Sequence, residues 1–162
     1  MPNSTRIPTV PDAIPLGDPY DDVTIHHMPG HHIRRLQQLA VALFAKALQP
    51  RDITPVQYAV LATLEQRAPI SQATLSGLIA YDRATIGGVV DRLAAKGWVA
   101  RTLDPGDRRL RMLALNKTGA RLLKTIRPRV QQVQEELLAP LSDEERRSFE
   151  ALCLKLLAHH GG

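Results

Sequence analysis

Hydrophobic positions first recur with the period of an α-helix from about His31 to Gln49. The stripe consists of Ile33, Leu36, Ala40, Leu43 and Ala47. Leu39, Phe44 and Leu48 lie beside it and make it wider. A stripe of this width predicts a helix that is buried on more than one side. Residues 1–25 carry five prolines and four aspartates but one basic residue, and they show no period, which predicts a flexible N-terminal arm.

Three helix-start signals follow. The segment ITPVQYAVLATLEQ has Thr54 as N-cap, proline at the first helical position and glutamine three residues after the cap. ISQATLSGLIA predicts a shorter helix capped by Ser71. YDRATIGGVVDRLAAKG predicts a fourth helix that Asp82 caps and that Gly97 ends in the left-handed conformation. Two short helices joined by a turn are therefore expected side by side.

A hairpin and two more helices complete the pattern. WVARTLD and RRLRMLAL alternate or run apolar on either side of a Pro-Gly turn, as the strands of a hairpin do. Asn116 can cap a long helix to about Ala139, which Pro128 should kink or interrupt because proline lacks the amide donor. In SDEE, Ser142 and Glu145 form a capping box that begins the last helix.

This order of elements predicts a mainly α fold with a small β-hairpin wing, the winged helix-turn-helix. Residues 54–115 suffice for that DNA-binding domain. The flanking helices, in 26–53 and 116–162, have broad apolar faces that need another partner, and a second copy is the simplest one. We therefore expect long N- and C-terminal dimerisation helices.

Composition narrows the class of protein. Lys and Arg outnumber Asp and Glu by 21 to 16, for a net charge of +5, which favours a polyanionic partner. Cys153 is the single cysteine, and no apolar run has the length of a signal peptide core or a membrane span, so we expect a soluble, cytoplasmic protein with no membrane partner. Without a phosphate loop, metal-ligand pattern or nucleophile motif, the sequence predicts no enzyme and no cofactor.

The fourth helix is the candidate for reading DNA. Its buried stripe is predicted at Ile86, Val89, Val90 and Leu93, so the opposite face carries Ala84, Gly88, Asp91 and Ala95, flanked by Thr85, Gly87 and Arg92. Each interior glycine costs about 1 kcal/mol relative to alanine. Close approach to DNA would compensate for that cost, and packing against neighbouring helices is the alternative. Thr85 and Arg83 or Arg92 can donate to base edges or phosphates.

The hairpin tip holds the segment DPGDRRLRMLAL. Behind a recognition helix, such a tip lies over the adjacent minor groove, whose negative potential attracts arginine. Arg108 or Arg109 would be inserted, with Asp107 holding a neighbour. A solvated charged turn is the alternative.

Three segments resemble the MarR family of bacterial transcription regulators: TPVQYAVLATL, LSGLIAYDRATIGGVVDRLAAKGWVAR and DPGDRRLRMLALNKTG. Asn116 stands where the family usually has threonine. The resemblance implies a homodimer with intertwined terminal helices that binds a palindromic double-stranded DNA operator. Such regulators usually repress, often a catabolic or efflux operon, and a small aromatic or phenolic ligand releases them. The family's DNA-contacting positions fall on Ser71, Thr74, Arg83, Ala84, Thr85, Gly88 and Arg92, and on Asp107, Arg108 and Arg109 in the wing.

An effector site is predicted at HHMPGHHIRR, because the family's pocket lies between the dimer helices and the DNA-binding lobe. His27, His31 and Arg34 can hold a carboxylate while Tyr58 or Tyr81 frames a ring. There are two alternatives: histidines exposed at a helix end, or zinc bound by His27 and His31, which the intervening proline and glycine disfavour.

Two further expectations concern the class and the cysteine. A winged-helix module for protein assembly, with its basic wing on an acidic partner, is the alternative to a DNA-binding regulator. Cys153 lies on the apolar stripe of the last helix and is expected to be a buried structural thiol.

Overall fold

The fold is helical with a small sheet, and the computed structural model describes it for residues 25–104, 106 and 111–160. The helices are α1 (Pro29–Leu48), α2 (Pro55–Arg67), α3 (Gln72–Leu78), α4 (Arg83–Ala95), α5 (Lys117–Leu137) and α6 (Asp143–His159). The strands are β1 (Ile70–Ser71), β2 (Val99–Leu103) and β3 (Arg111–Leu115). This order confirms the predicted winged helix-turn-helix between long flanking helices. The arm that we expect over residues 1–25 lies almost entirely outside the described residues.

The predicted helix-start residues are the N-caps in the structure. Thr54 Oγ1 accepts from the amide of Gln57 at 3.3 Å, and the Gln57 side chain accepts from the Thr54 amide at 3.2 Å. Ser142 and Glu145 form the second capping box. Gly97 has φ +69 and ends the turn after α4, as predicted. Short-range hydrogen bonds therefore set where these helices begin.

Helix α5 is continuous through Pro128, so the predicted interruption is wrong. Ile126, Val130 and Val133 are buried on either side of the proline. Their packing against the core holds both turns in helical geometry although one backbone hydrogen bond is missing.

The sheet is antiparallel in the order β1-β3-β2. In the hairpin, Val99 pairs with Leu115 and Leu103 with Arg111. Strand β1, which the sequence pattern did not predict, pairs Ile70 with Leu113. The hairpin is thereby held against the start of α3.

The core lies among α2, α4, α5 and the C-terminal half of α1. In a single chain the N-terminal half of α1 stays open, with Ile33 59% and Leu36 44% exposed. None of the 17 residues of α6 is buried. Cys153 on that helix is half-buried, so the expected buried thiol is wrong for the isolated chain, because α6 extends beyond the core.

One close approach joins the DNA-binding part to α5. A Cβ added at Gly119 would lie 3.0 Å from the carbonyl carbon of Trp98 and closer still to its oxygen. The Asn116 amide donates to that oxygen at 3.2 Å. Only glycine fits here, and the contact fixes the first turn of α5 against the turn that follows α4. Among the described residues, no helix is both long and apolar enough to cross a membrane.

Candidate nucleic-acid interface

The first turns of α3 and α4 carry the predicted polar contacts, and both are tightly capped. Ser71 Oγ accepts from the Thr74 amide at 3.1 Å and lies 2.9 Å from the Thr74 hydroxyl. Thr74 is exposed and Ser71 is half-buried. The Ser71 hydroxyl is therefore used within the chain to cap α3. Thr74 is the more exposed polar side chain of the two.

Asp82 organises the start of α4. Its carboxylate accepts from the Thr85 amide at 2.8 Å and from the Thr85 hydroxyl. These hydrogen bonds from Thr85 lower the pKa of Asp82 below its ordinary value of 3.8. Because the hydroxyl proton of Thr85 is already donated, that side chain offers a partner its methyl group and an acceptor oxygen.

The predicted faces of α4 are confirmed. Ile86, Val89, Val90 and Leu93 are buried at 0–1% exposure. The opposite side is exposed at Arg83, Ala84, Thr85, Asp91 and Arg92. In the described part of the chain, neither Arg83 nor Arg92 forms an ion pair. Both side chains are exposed, Arg83 at the start of α4 and Arg92 near its end, on the two flanks of the side that faces away from the core.

The two glycines of α4 have different surroundings. A Cβ at Gly87 would lie 3.3 Å from Gln72 Nε2, a tight contact with α3. A Cβ at Gly88 would meet only Arg92 Nη1, at 3.6 Å. Gly87 therefore lies in a tight contact with a side chain of α3, in line with the helix-packing alternative, whereas packing within the chain does not require glycine at position 88.

Two polar links that the sequence analysis missed hold α4 in place. Gln72 Nε2 donates to the backbone oxygen of Arg83 at 3.4 Å, joining α3 to the first turn of α4. Arg101 of β2 forms an ion pair with Asp91, which neutralises the carboxylate on the exposed face. The first link depends on how α3 packs beside α4 and the second on how the hairpin folds beside α4, so neither pairing follows from sequence spacing.

The predicted wing contacts Asp107, Arg108 and Arg109 lie outside the described residues, and they stay predictions. The described base of the wing ends at Asp104, whose carboxylate accepts from the Gly106 amide at 2.8 Å.

The predicted effector residues lie on three parts of the chain. His27 is in a short 3₁₀ turn before α1, and on α1 the Arg34 Nη2 atom lies 3.4 Å from His31 Nδ1. The ring of Tyr58 on α2 packs edge-to-face on Phe44, with centroids 6.0 Å apart. Tyr81 is exposed in the turn between α3 and α4. The structure brings His31 and Arg34 together and places the two tyrosines on separate elements.

Beside Tyr58, Arg127 forms an ion pair with Glu65. Glu65, with help from Tyr58, raises the pKa of Arg127. Two surface cavities, of about 370 and 410 Å³, are lined by none of the five predicted effector residues. Over the described residues, no group of three His, Cys, Asp or Glu side chains is arranged to hold a metal ion.

A capped helix-turn-helix, exposed arginines on its second helix and a hairpin beside it define a DNA-binding winged helix protein. The sequence pattern of the MarR family matches residues 53–110. The transcriptional repressor NicR of Pseudomonas putida is 35% identical over 149 residues, which cover 92% of this chain and 93% of NicR. The chain belongs to the MarR family and is a transcription regulator.

Solved structures share this fold. Bordetella bronchiseptica BpsR, whose DNA binding is described as regulated by 6-hydroxynicotinic acid, has a TM-score of 0.80 and 29% identity, covering 83% of this chain and 96% of BpsR. A MarR mutant of Escherichia coli in complex with operator DNA has a TM-score of 0.78 and 30% identity, covering 84% and 99% of the two chains.

Proposed function

We propose that this regulator is a homodimeric repressor that binds a palindromic operator and that a small aromatic or phenolic acid releases it. It would act in the cytoplasm on an operon for catabolism or efflux. Residues 54–115 would bind DNA, and the helices in 26–53 and 116–162 would form the dimer. The observation that carries the proposal is the exposed face of α4, with Arg83 and Arg92 lacking ion-pair partners in the described residues.

The chemistry of that face suits a major groove. Arginine can donate two parallel hydrogen bonds to guanine or bind phosphate. Ala84 and the Thr85 methyl group offer apolar contact to a thymine methyl, and Gly88 permits close approach. Ser71 and Thr74 at the start of α3 would contact the adjacent backbone. Asp107, Arg108 and Arg109 would reach the minor groove. The MarR structure with operator DNA supports this use of the fold.

Fluorescence anisotropy tests the DNA-binding role, with DNA from upstream of the gene, a scrambled duplex and two salt concentrations. We expect selective, salt-sensitive binding. Arg92→Ala should weaken it by about 1–3 kcal/mol if the arginine reads a base, with a smaller salt slope if it binds phosphate. Lys124→Ala, which removes one exposed charge from α5, is the matched control. Equal, weak binding to both duplexes would instead favour the assembly module.

Dimerisation is supported by the apolar surface that a single chain leaves open. On α6, Leu152, Leu154, Leu156 and Leu157 are 56–60% exposed. Covering a leucine side chain contributes on the order of 1–2 kcal/mol. A second copy, packed on α6 and on the open half of α1, would bury this surface. Sedimentation should show a dimer that Leu152→Glu with Leu156→Glu dissociates; a monomeric wild-type protein would contradict the assignment.

An aromatic acid as effector is supported by the cationic start of α1. His31 and Arg34 lie side by side there and can hold a carboxylate, with His27 nearby in the chain and Tyr58 or Tyr81 framing the ring. The relative BpsR responds to 6-hydroxynicotinic acid by its description. We expect 6-hydroxynicotinic acid or 4-hydroxybenzoate to raise Tm and release DNA, and Arg34→Gln to reduce both effects. No shift with any aromatic acid would remove this pocket from the proposal.

A further inference from the structure

A cationic cleft on the surface is lined by none of the residues to which a DNA or effector role is assigned above. Its volume is about 410 Å³, and it opens between the short turn after α1, the residue before β2 and the first three turns of α5. The lining side chains are Arg51, Trp98, Thr118, Arg121, Leu122 and Thr125.

The walls of this cleft are fixed relative to one another. Gly119 brings α5 against the backbone of Trp98, and the Asn116 side chain donates to the backbone oxygen of Gly97. At the rim, Lys96 Nζ lies 4.9 Å from the centre of the Trp98 ring and 3.3 Å from the Asp52 carboxylate. A ligand that enters therefore meets a site whose aromatic wall is already placed.

The lining carries positive charge without a counter-ion. Among the described residues, Arg51 has no hydrogen-bond or ion-pair partner. Arg121 donates only through Nε, to the backbone oxygen of Lys117 at 3.3 Å. No carboxylate is among the residues that line the cleft, and the neighbouring Asp52 is paired with Lys96. The Thr125 hydroxyl donates to the Arg121 backbone oxygen at 2.9 Å. Two guanidinium groups thus remain available to an anion.

The remaining lining is apolar and aromatic. Trp98 is half-buried and Leu122 is buried at the base of the cleft. An inorganic anion would satisfy the arginines and leave this surface unused. A planar ring that carries a carboxylate would use both parts, because indole favours stacked or edge-on rings and guanidinium binds carboxylate through two parallel hydrogen bonds.

We propose that this cleft is a second ligand site, which binds an aromatic carboxylate between Arg51 and Arg121 with its ring on Trp98 and Leu122. The site shares no residue with the effector pocket proposed above and does not depend on DNA binding. Its occupant touches the turn after α1, the exit of α4 and α5. Ligand bound here therefore favours one relative arrangement of these three segments.

Trp98 is the single tryptophan of the chain, so its fluorescence reports directly on this cleft. The probes are benzoate, benzamide as a ring without charge, and inorganic phosphate as charge without a ring. We expect saturable change in Trp98 emission with benzoate and much weaker responses to the other two. Arg51→Gln with Arg121→Gln should weaken benzoate binding about tenfold or more. Arg67→Gln, which removes an exposed arginine at the end of α2, should not.

Three outcomes would overturn the inference. The first is no saturable change with benzoate. The second is a response to phosphate as strong as the response to benzoate. The third is a benzoate signal that Arg34→Gln abolishes while the Arg51→Gln, Arg121→Gln protein retains it, since the ligand would then sit at the start of α1. Circular dichroism checks that each variant is folded. Because the assay contains no DNA, a failure of operator binding would not change its result.

Discussion

Replacing Gly88 by alanine should move stability and DNA affinity in opposite directions. Gly88 lies inside α4, and the added Cβ would make one ordinary contact, 3.6 Å from Arg92 Nη1. Alanine in a helix interior is more favourable than glycine by about 0.5–1 kcal/mol. For a chain of this length, that gain corresponds to a rise in Tm of about 1–4 °C.

The expected loss of DNA affinity depends on where the new methyl group lies. If α4 lies against a base pair edge or the backbone at Gly88, a methyl group in that tight contact costs about 1–3 kcal/mol. Operator affinity should fall by roughly 5- to 150-fold by that estimate.

Thermal melting and fluorescence anisotropy on the same preparation measure both effects. Gly77→Ala in α3 is the matched control, because a Cβ there has nothing within 4 Å. It should raise Tm and leave operator affinity unchanged. Unchanged operator affinity in Gly88→Ala, together with a raised Tm, would show that the glycine serves no close approach to DNA. A lowered Tm would refute the account of its surroundings within the chain.

Three other substitutions test the framework. Gly119→Ala forces a Cβ into the Trp98 backbone, so urea unfolding should show a loss of about 3 kcal/mol or more, and wild-type stability would contradict the close contact. Asp82→Ala should lower Tm at neutral pH. Since the folded pKa of Asp82 is depressed, its contribution is present above 3.8 and is lost as pH falls through that lowered pKa. The Tm difference between Asp82→Ala and wild type should therefore shrink in acid; a constant difference would rule out the carboxylate as its cause. Arg101→Ala leaves the Asp91 carboxylate unpaired on the exposed side of α4 and should lower operator affinity, while adding Asp91→Ala should recover part of the loss. Strictly additive effects of the two substitutions would show that the pair does not act together.

The helix starts could be predicted because their signals are local. Each cap at Thr54, Asp82 or Ser142 bonds a residue three positions away, so sequence spacing alone contains the interaction. The buried face of α4 was predictable for a similar reason, since the 3.6-residue period places its apolar positions on one side.

Features that depend on distant partners could not be predicted in this way. Strand β1 has two residues, too few for an alternating pattern, and exists through its pairing with β3. At Pro128 a correct local rule gave the wrong result, because burial of the neighbouring turns outweighs one lost hydrogen bond. The pairing of Asp91 with Arg101 likewise needs the hairpin in place. The roles of the predicted DNA and effector residues remain predictions.

The unbroken course of α5 has a mechanical consequence. With 21 residues at 1.5 Å each, α5 is a rod about 31 Å long. Its first turn is locked to the exit of α4 through Gly119, and its far end leads into α6. A tilt of about 4° at that far end would displace the other end by about 2 Å, given this length. A break in the helix at Pro128 would absorb such a tilt, whereas the uninterrupted helix passes it on to α4.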